Sequence, residues 1–196
     1  MAKIKIDSAM FYPGYPVFIV LTKAADDEIL ATTYSSSFTL NDFLVLGVGA
    51  TGQTAAFLEI GSRLSINFLG GNEGILSDIG GLVSRRTKLQ SLIEAGAELA
   101  EFEEVPILEN GLLTLIGRIE KVVELESSDD PIKLIYVRVE HRLLNEKLAI
   151  ADDKVDWANF QALEYFGAGK ERVYKTVKSD LKTKGAYLKE NRRKRL

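Results

Sequence analysis

Val45-Leu46-Gly47-Val48-Gly49-Ala50-Thr51-Gly52-Gln53-Thr54 contains a literal G-x-G-x-x-G, and its reading decides the fold. A hydroxyl-rich segment, Thr32-Thr33-Tyr34-Ser35-Ser36-Ser37-Phe38-Thr39, lies just upstream. Glycines let a ligand approach the backbone closely, and Thr51 and Thr54 stand where a helical pattern opens. Free amides, hydroxyl donors and the positive end of a helix dipole are what a phosphate requires. The stretch therefore points to a nucleotide-type ligand. Two architectures present such a turn, a Rossmann unit holding a dinucleotide and a β-barrel holding a mononucleotide, and the rest of the chain arbitrates.

With 196 residues the chain is long enough for one full core. Its hydrophobic fraction of 46% against 27% charged residues is that of an ordinary globular protein, not of a disordered or collagenous chain. There is no cysteine, which removes disulfides, thiolate nucleophiles and zinc-thiolate sites from consideration. The start, Met-Ala-Lys-Ile-Lys-Ile-Asp, is charged too early for a signal peptide, and no apolar run reaches the roughly 18 residues of a membrane helix. A cytoplasmic protein with no membrane partner is expected. From Lys170 onward eleven Lys or Arg stand against Glu171, Asp180 and Glu190, so residues 176–196 read as a basic, helical, solvated tail after a domain spanning 1–175. No aromatic residue interleaves with the final basic run, and nucleic acid is not expected as a partner.

Strand signals dominate the first half. Pro13-Gly14-Tyr15-Pro16 turns into the apolar run Val17 to Thr22, Ala24 to Glu28 forms a hairpin-like connection, and Ile29 to Thr33 returns. Phe43 to Val48 reads as a third, central strand, Gln53 to Arg63 as a helix with Phe57, Leu58 and Ile60 on its apolar side, and Leu64 to Leu69 as another strand. Helical spacing covers Glu73 to Val83 and Arg86 to Ala95, with Gly80 and Gly81 interrupting it. Beyond Pro106 come two long alternating strands, Leu113 to Glu124 and Ile132 to Leu144, joined by a turn at 126–131. Alternation puts Leu113, Leu115, Ile119 and Val123 on one face of the first, and Ile135, Val137, Val139 and His141 together on the second.

That hairpin weighs against a Rossmann domain, which alternates strands and helices for most of its length. Here only Phe43 to Leu69 reads as β-α-β, although Glu73 falls at the spacing of a ribose-binding acid. The order of elements predicts a mainly β protein with peripheral α-helices, built as a closed barrel.

The chain resembles the flavin reductase-like proteins, whose domain is the FMN-binding split β-barrel of Greek-key type, flavoredoxins included. The residues that carry the resemblance are Tyr12-Pro13-Gly14-Tyr15-Pro16-Val17, then Thr32-Thr33-Tyr34-Ser35, hydroxyls at Ser37 and Thr39, the apolar strand, a phosphate loop ending in Thr54, Ser65-Ile66-Asn67-Phe68-Leu69, and Tyr165-Phe166-Gly167-Ala168-Gly169-Lys170. It covers roughly residues 10 to 175. Two departures stand out. Asn41-Asp42-Phe43 replaces the family's Asp-Pro-Pro, and the loop offers Ala50, Thr51, Gly52 and Gln53 where many relatives place Arg or Lys.

The resemblance implies an FMN-dependent oxidoreductase, a homodimer with the flavin at the subunit boundary, that passes electrons from NAD(P)H to an acceptor. Carried over by position, Thr33, Tyr34 and Ser35 line the isoalloxazine, while Ser37 and Thr39 approach the ribityl chain or ring edge. Gly49, Ala50, Thr51, Gln53 and Thr54 cradle the phosphate, and Asn67 lies near the same pocket. Tyr12, Arg85 and Arg86 are candidates for contact with the nicotinamide nucleotide or a phosphate. A flavin electron carrier without NAD(P)H turnover is the alternative, and a module binding another nucleotide is a third. Barrel edges and the Val137 to His141 face are expected to take the partner subunit.

Other chemistries have little support. The hydroxyl run lacks a G-x-S-x-G elbow and a nearby base, and Ser179-Asp180-Leu181-Lys182 matches S-x-x-K only within the basic tail. His141 reads as a satisfied structural residue, and the acidic 124–130 turn lacks a calcium-loop pattern, so no metal is expected. Few acid–base groups are needed for flavin chemistry, because the cofactors carry the hydride and the protein supplies binding and orientation.

Overall fold

The computed structural model describes residue 5 and residues 11–126, 131–151, 154–168 and 170–177. Its strands are β1 (Phe11–Pro16), β2 (Phe18–Lys23), β3 (Ile29–Tyr34), β4 (Ser37–Leu40), β5 (Phe43–Gly49), β6 (Arg63–Phe68), β7 (Leu99–Phe102), β8 (Val105–Leu108), β9 (Leu113–Leu125), β10 (Ile132–Leu144), β11 (Ala149–Ala151), β12 (Lys154–Val155), β13 (Leu163–Ala168) and β14 (Glu171–Thr176). Helices α1 (Gly74–Leu82) and α2 (Arg85–Glu94) sit between β6 and β7. Among the described residues no helix is long and apolar enough to cross a membrane.

Seven strands form one antiparallel sheet in the order β3-β2-β6-β9-β10-β5-β4. It curls on itself, since Phe18 and Val20 of β2, Leu44 and Leu46 of β5, Ile66 of β6, Leu115 of β9 and Val137 of β10 share a single inner core. A second core lies on the outer face, where Val17, Ile19, Leu21 and Ala31 pack against Leu76 of α1, Leu92 of α2, Leu108 and Leu163. β2 is thus buried on both sides, and an unbroken apolar run is what such a strand demands. β1, β13 and β14 make a separate three-stranded sheet, pinned to the barrel where Val17 N donates to Leu163 O (2.8 Å) and Leu163 N to Leu69 O (2.9 Å).

Several expectations are corrected. Residues 53–63 are not a helix: a single 3-10 turn covers Thr54–Phe57, and the chain turns at Gly61 (φ +93°) before β6 begins at Arg63. Leu58 is drawn into the inner core, while Gly61 N donates to Ile119 O and Ile119 N to Ser62 O, laying the segment on β9. With no helix there and no parallel pair among the described residues, the β-α-β unit disappears, and with it the Rossmann reading. β5 is not central but next to the edge, and the hydroxyl-bearing segment at Ser37 and Thr39 is itself the edge strand β4.

Bulges overturn two of the face assignments. The β9–β10 register shifts between Tyr136 and Val137, so Glu120 is extra on β9 and Val122, not Val123, packs against the inner core. Gly117 lies between the bulges, where a Cβ would run into the Arg138 carbonyl. A second shift between Val139 and His141 sends His141 to the opposite face, against the Phe102 ring (5.2 Å) and the Glu103 carboxylate (3.3 Å). Val137 and Val139 are core residues of their own chain, so they do not form a face for a partner subunit. The tail expected from 176 lies outside the described residues beyond Val177, as do 127–130 of the long hairpin's turn; Thr176 itself ends β14.

Candidate functional site

β3 has two faces, and they divide the hydroxyl run. Leu30, Thr32 and Tyr34 point inward, while Ile29, Ala31 and Thr33 point toward α1. Thr33 is accordingly committed to the helix, its Oγ1 donating to Ser77 O at 2.8 Å. Thr32, one position earlier, is the residue that meets the glycine loop: its hydroxyl contacts that of Thr54, and it also donates to Ala31 O at 2.7 Å. Period-two alternation, applied to Thr32-Thr33-Tyr34, would have selected Thr32 with Tyr34.

Tyr34 packs against the inner core, and burial pushes its phenol up to about 12. Ser37 and Thr39 lie opposite Leu46 and Leu44 on β5, on the inward-facing side of the edge strand. Ser35 sits half-buried in the two-residue link between β3 and β4. Tyr34, Ser35, Ser37 and Thr39 are therefore brought to the open margin of the barrel.

The glycine loop continues from β5. Ala50 N donates to Pro131 O (2.8 Å) and Gly52 N to Gly49 O (3.2 Å), so these two amides are used internally. Among the described residues the amides of Thr51, Gln53 and Thr54 find no acceptor within the chain. A Cβ on Gly49 would meet nothing within 4 Å, so that side of the loop is open. Thr54 is buried, and Thr51 and Gln53 are exposed. This set of amides and hydroxyls, with no carboxylate among residues 49–54, fits a phosphate group; Ala50 contributes its position but not its amide.

Asn67 is not part of the site. It is fully buried on β6, its Nδ2 donating to Ile19 O (3.0 Å) and Ser65 Oγ (2.8 Å), its Oδ1 accepting from Leu108 N and Thr114 Oγ1 (both 2.9 Å). Both polar atoms of the side chain are used within the fold, Nδ2 on β2 and β6 and Oδ1 on β8 and β9. Tyr12 also stands apart, in the small sheet, with its ring 5.1 Å from Tyr165 and 6.0 Å from Tyr15. Glu73 lines a different cleft, of about 890 Å³, between Gly70 and Leu148.

Arg85 and Arg86 do join the loop. With Gln53, Phe57, Glu28 and Ser84 they line a cleft of about 580 Å³ beside it. Arg85, at the start of α2, is held by Glu28, its Nε donating to Oε1 (3.3 Å) and its Nη2 contacting Oε2, and it lies 4.8 Å above the Phe57 ring. The carboxylate beside it raises the guanidinium's pKa. Glu28 and Phe57 escaped sequence reading, because nothing local links a β2–β3 turn to the start of α2.

Neither a protein-family model nor a curated protein sequence matches the chain. Solved structures do, and their class is that of flavoredoxins and flavin reductases, whose fold this chain has. The flavoredoxin of Methanosarcina acetivorans superposes with a TM-score of 0.76 at 20% identity, covering 96% of this chain and 100% of its own. The flavoredoxin of Desulfovibrio vulgaris (Miyazaki F) gives 0.76 at 15% identity, over 93% of this chain and 97% of that one. The NADH:FAD oxidoreductase of Streptomyces globisporus C-1027, solved in complex with NAD and FAD fragments, gives 0.63 at 12% identity, over 86% and 88%.

Proposed function

We propose that the protein is a cytoplasmic FMN-binding oxidoreductase that passes electrons from NAD(P)H through the flavin to an acceptor. The observation that carries this reading is the loop of residues 49–54, whose unused amides at Thr51, Gln53 and Thr54 lie beside the barrel margin in a flavoredoxin fold. In this reading the amides and the Thr51 hydroxyl bind the phosphate, and Thr54, buttressed by Thr32, holds the loop against the barrel. Tyr34, Ser35, Ser37 and Thr39 orient the ring along the β3–β4 link and shield one side from water. FMN, when bound, supplies the hydride-accepting chemistry. No side chain is required to move a proton, which agrees with His141, the chain's one histidine, being engaged with Glu103 and Phe102.

A homodimer is part of the proposal, and edge strand β4 is the surface that favours it: Phe38 and Leu40 are 61% and 68% exposed on an edge that is unpaired among the described residues. Sedimentation as a monomer at micromolar concentration contradicts that element. Turnover itself is tested by anaerobic stopped flow, where NADH or NADPH is expected to bleach the flavin band. A flavin that stays oxidised in excess of both nucleotides selects the second reading, an electron carrier. The absence of a cation from residues 50–53 favours that second reading, because it leaves the flavin phosphate held mainly by neutral donors.

A further inference from the structure

Sequence alone leaves the phosphate loop without a cation, since residues 50–53 are Ala, Thr, Gly and Gln. The fold brings two arginines from α2 to the cleft that Gln53 lines, and they are not equivalent. Arg85 is taken up by Glu28 from the β2–β3 turn and by the face of Phe57. Arg86 is exposed in the first turn of the helix, and among the described residues its side chain makes no ion pair or hydrogen bond.

The placement of α2 is built in. Leu92 anchors it in the outer core, and the Lys88 ammonium, its pKa lowered by burial, donates to the Gly80 carbonyl at the end of α1 (2.7 Å). These contacts fix the backbone of α2 beside the cleft that Arg86 lines. Glu28 acts in the opposite sense. It is the carboxylate of this cleft, it carries the same sign as a phosphate, and it neutralises the cation that would otherwise double the local positive charge.

We propose that Arg86, supplied from α2, takes the place of the missing loop cation toward the flavin phosphate, and that Glu28 restrains binding by withholding Arg85. This rests on the FMN reading above and adds to it a charge balance of plus one, set by two neighbouring arginines of α2 and a glutamate 57 residues upstream of the first. The loop's neutral donors orient the phosphate, Arg86 supplies the charge attraction, and the Glu28–Arg85 pair limits how tightly a dianion is held. A flavin that must exchange benefits from such a limit.

The test is fluorescence titration of the full-length protein with FMN and with riboflavin, at two salt concentrations. Arg86→Gln is expected to weaken FMN roughly five- to tenfold and to flatten its salt dependence, leaving riboflavin unchanged. Glu28→Gln is expected to tighten FMN about threefold or more and to steepen the salt dependence. Adding Arg85→Gln to Glu28→Gln should cancel that gain, because the gain comes from the freed guanidinium. An unchanged FMN affinity in Arg86→Gln overturns the inference, and so does a Glu28→Gln gain that survives loss of Arg85. If Thr54→Val still weakens FMN in that case, the loop reading stands and only this inference falls. If wild-type protein does not prefer FMN to riboflavin, both fall.

Discussion

The hydroxyls of Thr32 and Thr54 meet across the mouth of the barrel, joining the inward face of β3 to the end of the glycine loop. Twenty-two residues separate them in sequence, and among the described residues no ladder joins β3 to this loop. The contact fastens the end of the loop to β3 by side chains.

Thr54→Val keeps the volume and removes the hydroxyl. Thr32 retains its bond to Ala31 O, so no buried group is left stranded and the loss of stability should be about 1 kcal/mol. FMN affinity should fall while riboflavin affinity holds, because the change acts on the phosphate end alone. Urea denaturation together with paired flavin titrations checks both halves.

Asn67→Ala tests the opposite assignment. It strips partners from Leu108 N, Thr114 Oγ1 and the Ile19 carbonyl at once, in a site without solvent. With roughly 1–3 kcal/mol for each stranded group, a loss of about 3 kcal/mol or more is expected. Flavin affinity of the molecules that remain folded should not change, and a selective loss of flavin binding at full stability would return Asn67 to the site.

Gly80 and Gly81 form a contrasting pair on α1. A Cβ at Gly80 overlaps the Thr33 hydroxyl and approaches its amide at 3.3 Å, whereas at Gly81 it makes ordinary contact with Thr33 Cβ at 3.8 Å. Helix preference favours alanine by roughly 1 kcal/mol at either position. Gly81→Ala should therefore stabilise, and Gly80→Ala should destabilise because the clash outweighs the preference. Thermal melts of the two variants should move in opposite directions.

How far the sequence was legible follows from which signals are local. The strand runs Val17 to Thr22 and Phe43 to Val48, the long hairpin and both helices are carried by periodicity, and each appears within a residue or two of its expected place. The expected helix at 53–63 failed because Leu58 and Gly61 answer to the inner core and to Ile119, partners some sixty residues away. His141 changed face because a bulge inserts one residue, which alternation cannot foresee. Of the candidate site, the loop and the hydroxyls on one side of β3 and β4 come together; Thr33, Asn67 and Tyr12 do not, and Glu28 was visible only in three dimensions.

Tyr34 gives the fold a dependence on alkaline pH. Its phenol is raised from 10 to about 12, so the folded chain holds the proton more tightly than the unfolded one. The contribution is complete below pH 10 and is lost as pH rises toward 12, an effect of roughly 2 to 3 kcal/mol. Tyr34→Phe should flatten the stability profile in that window, measured by urea denaturation from pH 8 to 11.5. An unchanged slope would mean that the phenol is not desolvated.

The central claim is that the loop from Gly49 to Thr54 binds the phosphate of FMN, and it is tested most directly by titrating the protein with FMN and riboflavin under one set of conditions. The two ligands share the ring and differ by the phosphate. With several amide and hydroxyl donors directed at a dianion, FMN should bind at least about tenfold more tightly, with the gap narrowing as salt is raised. Equal affinities for FMN and riboflavin would contradict the account.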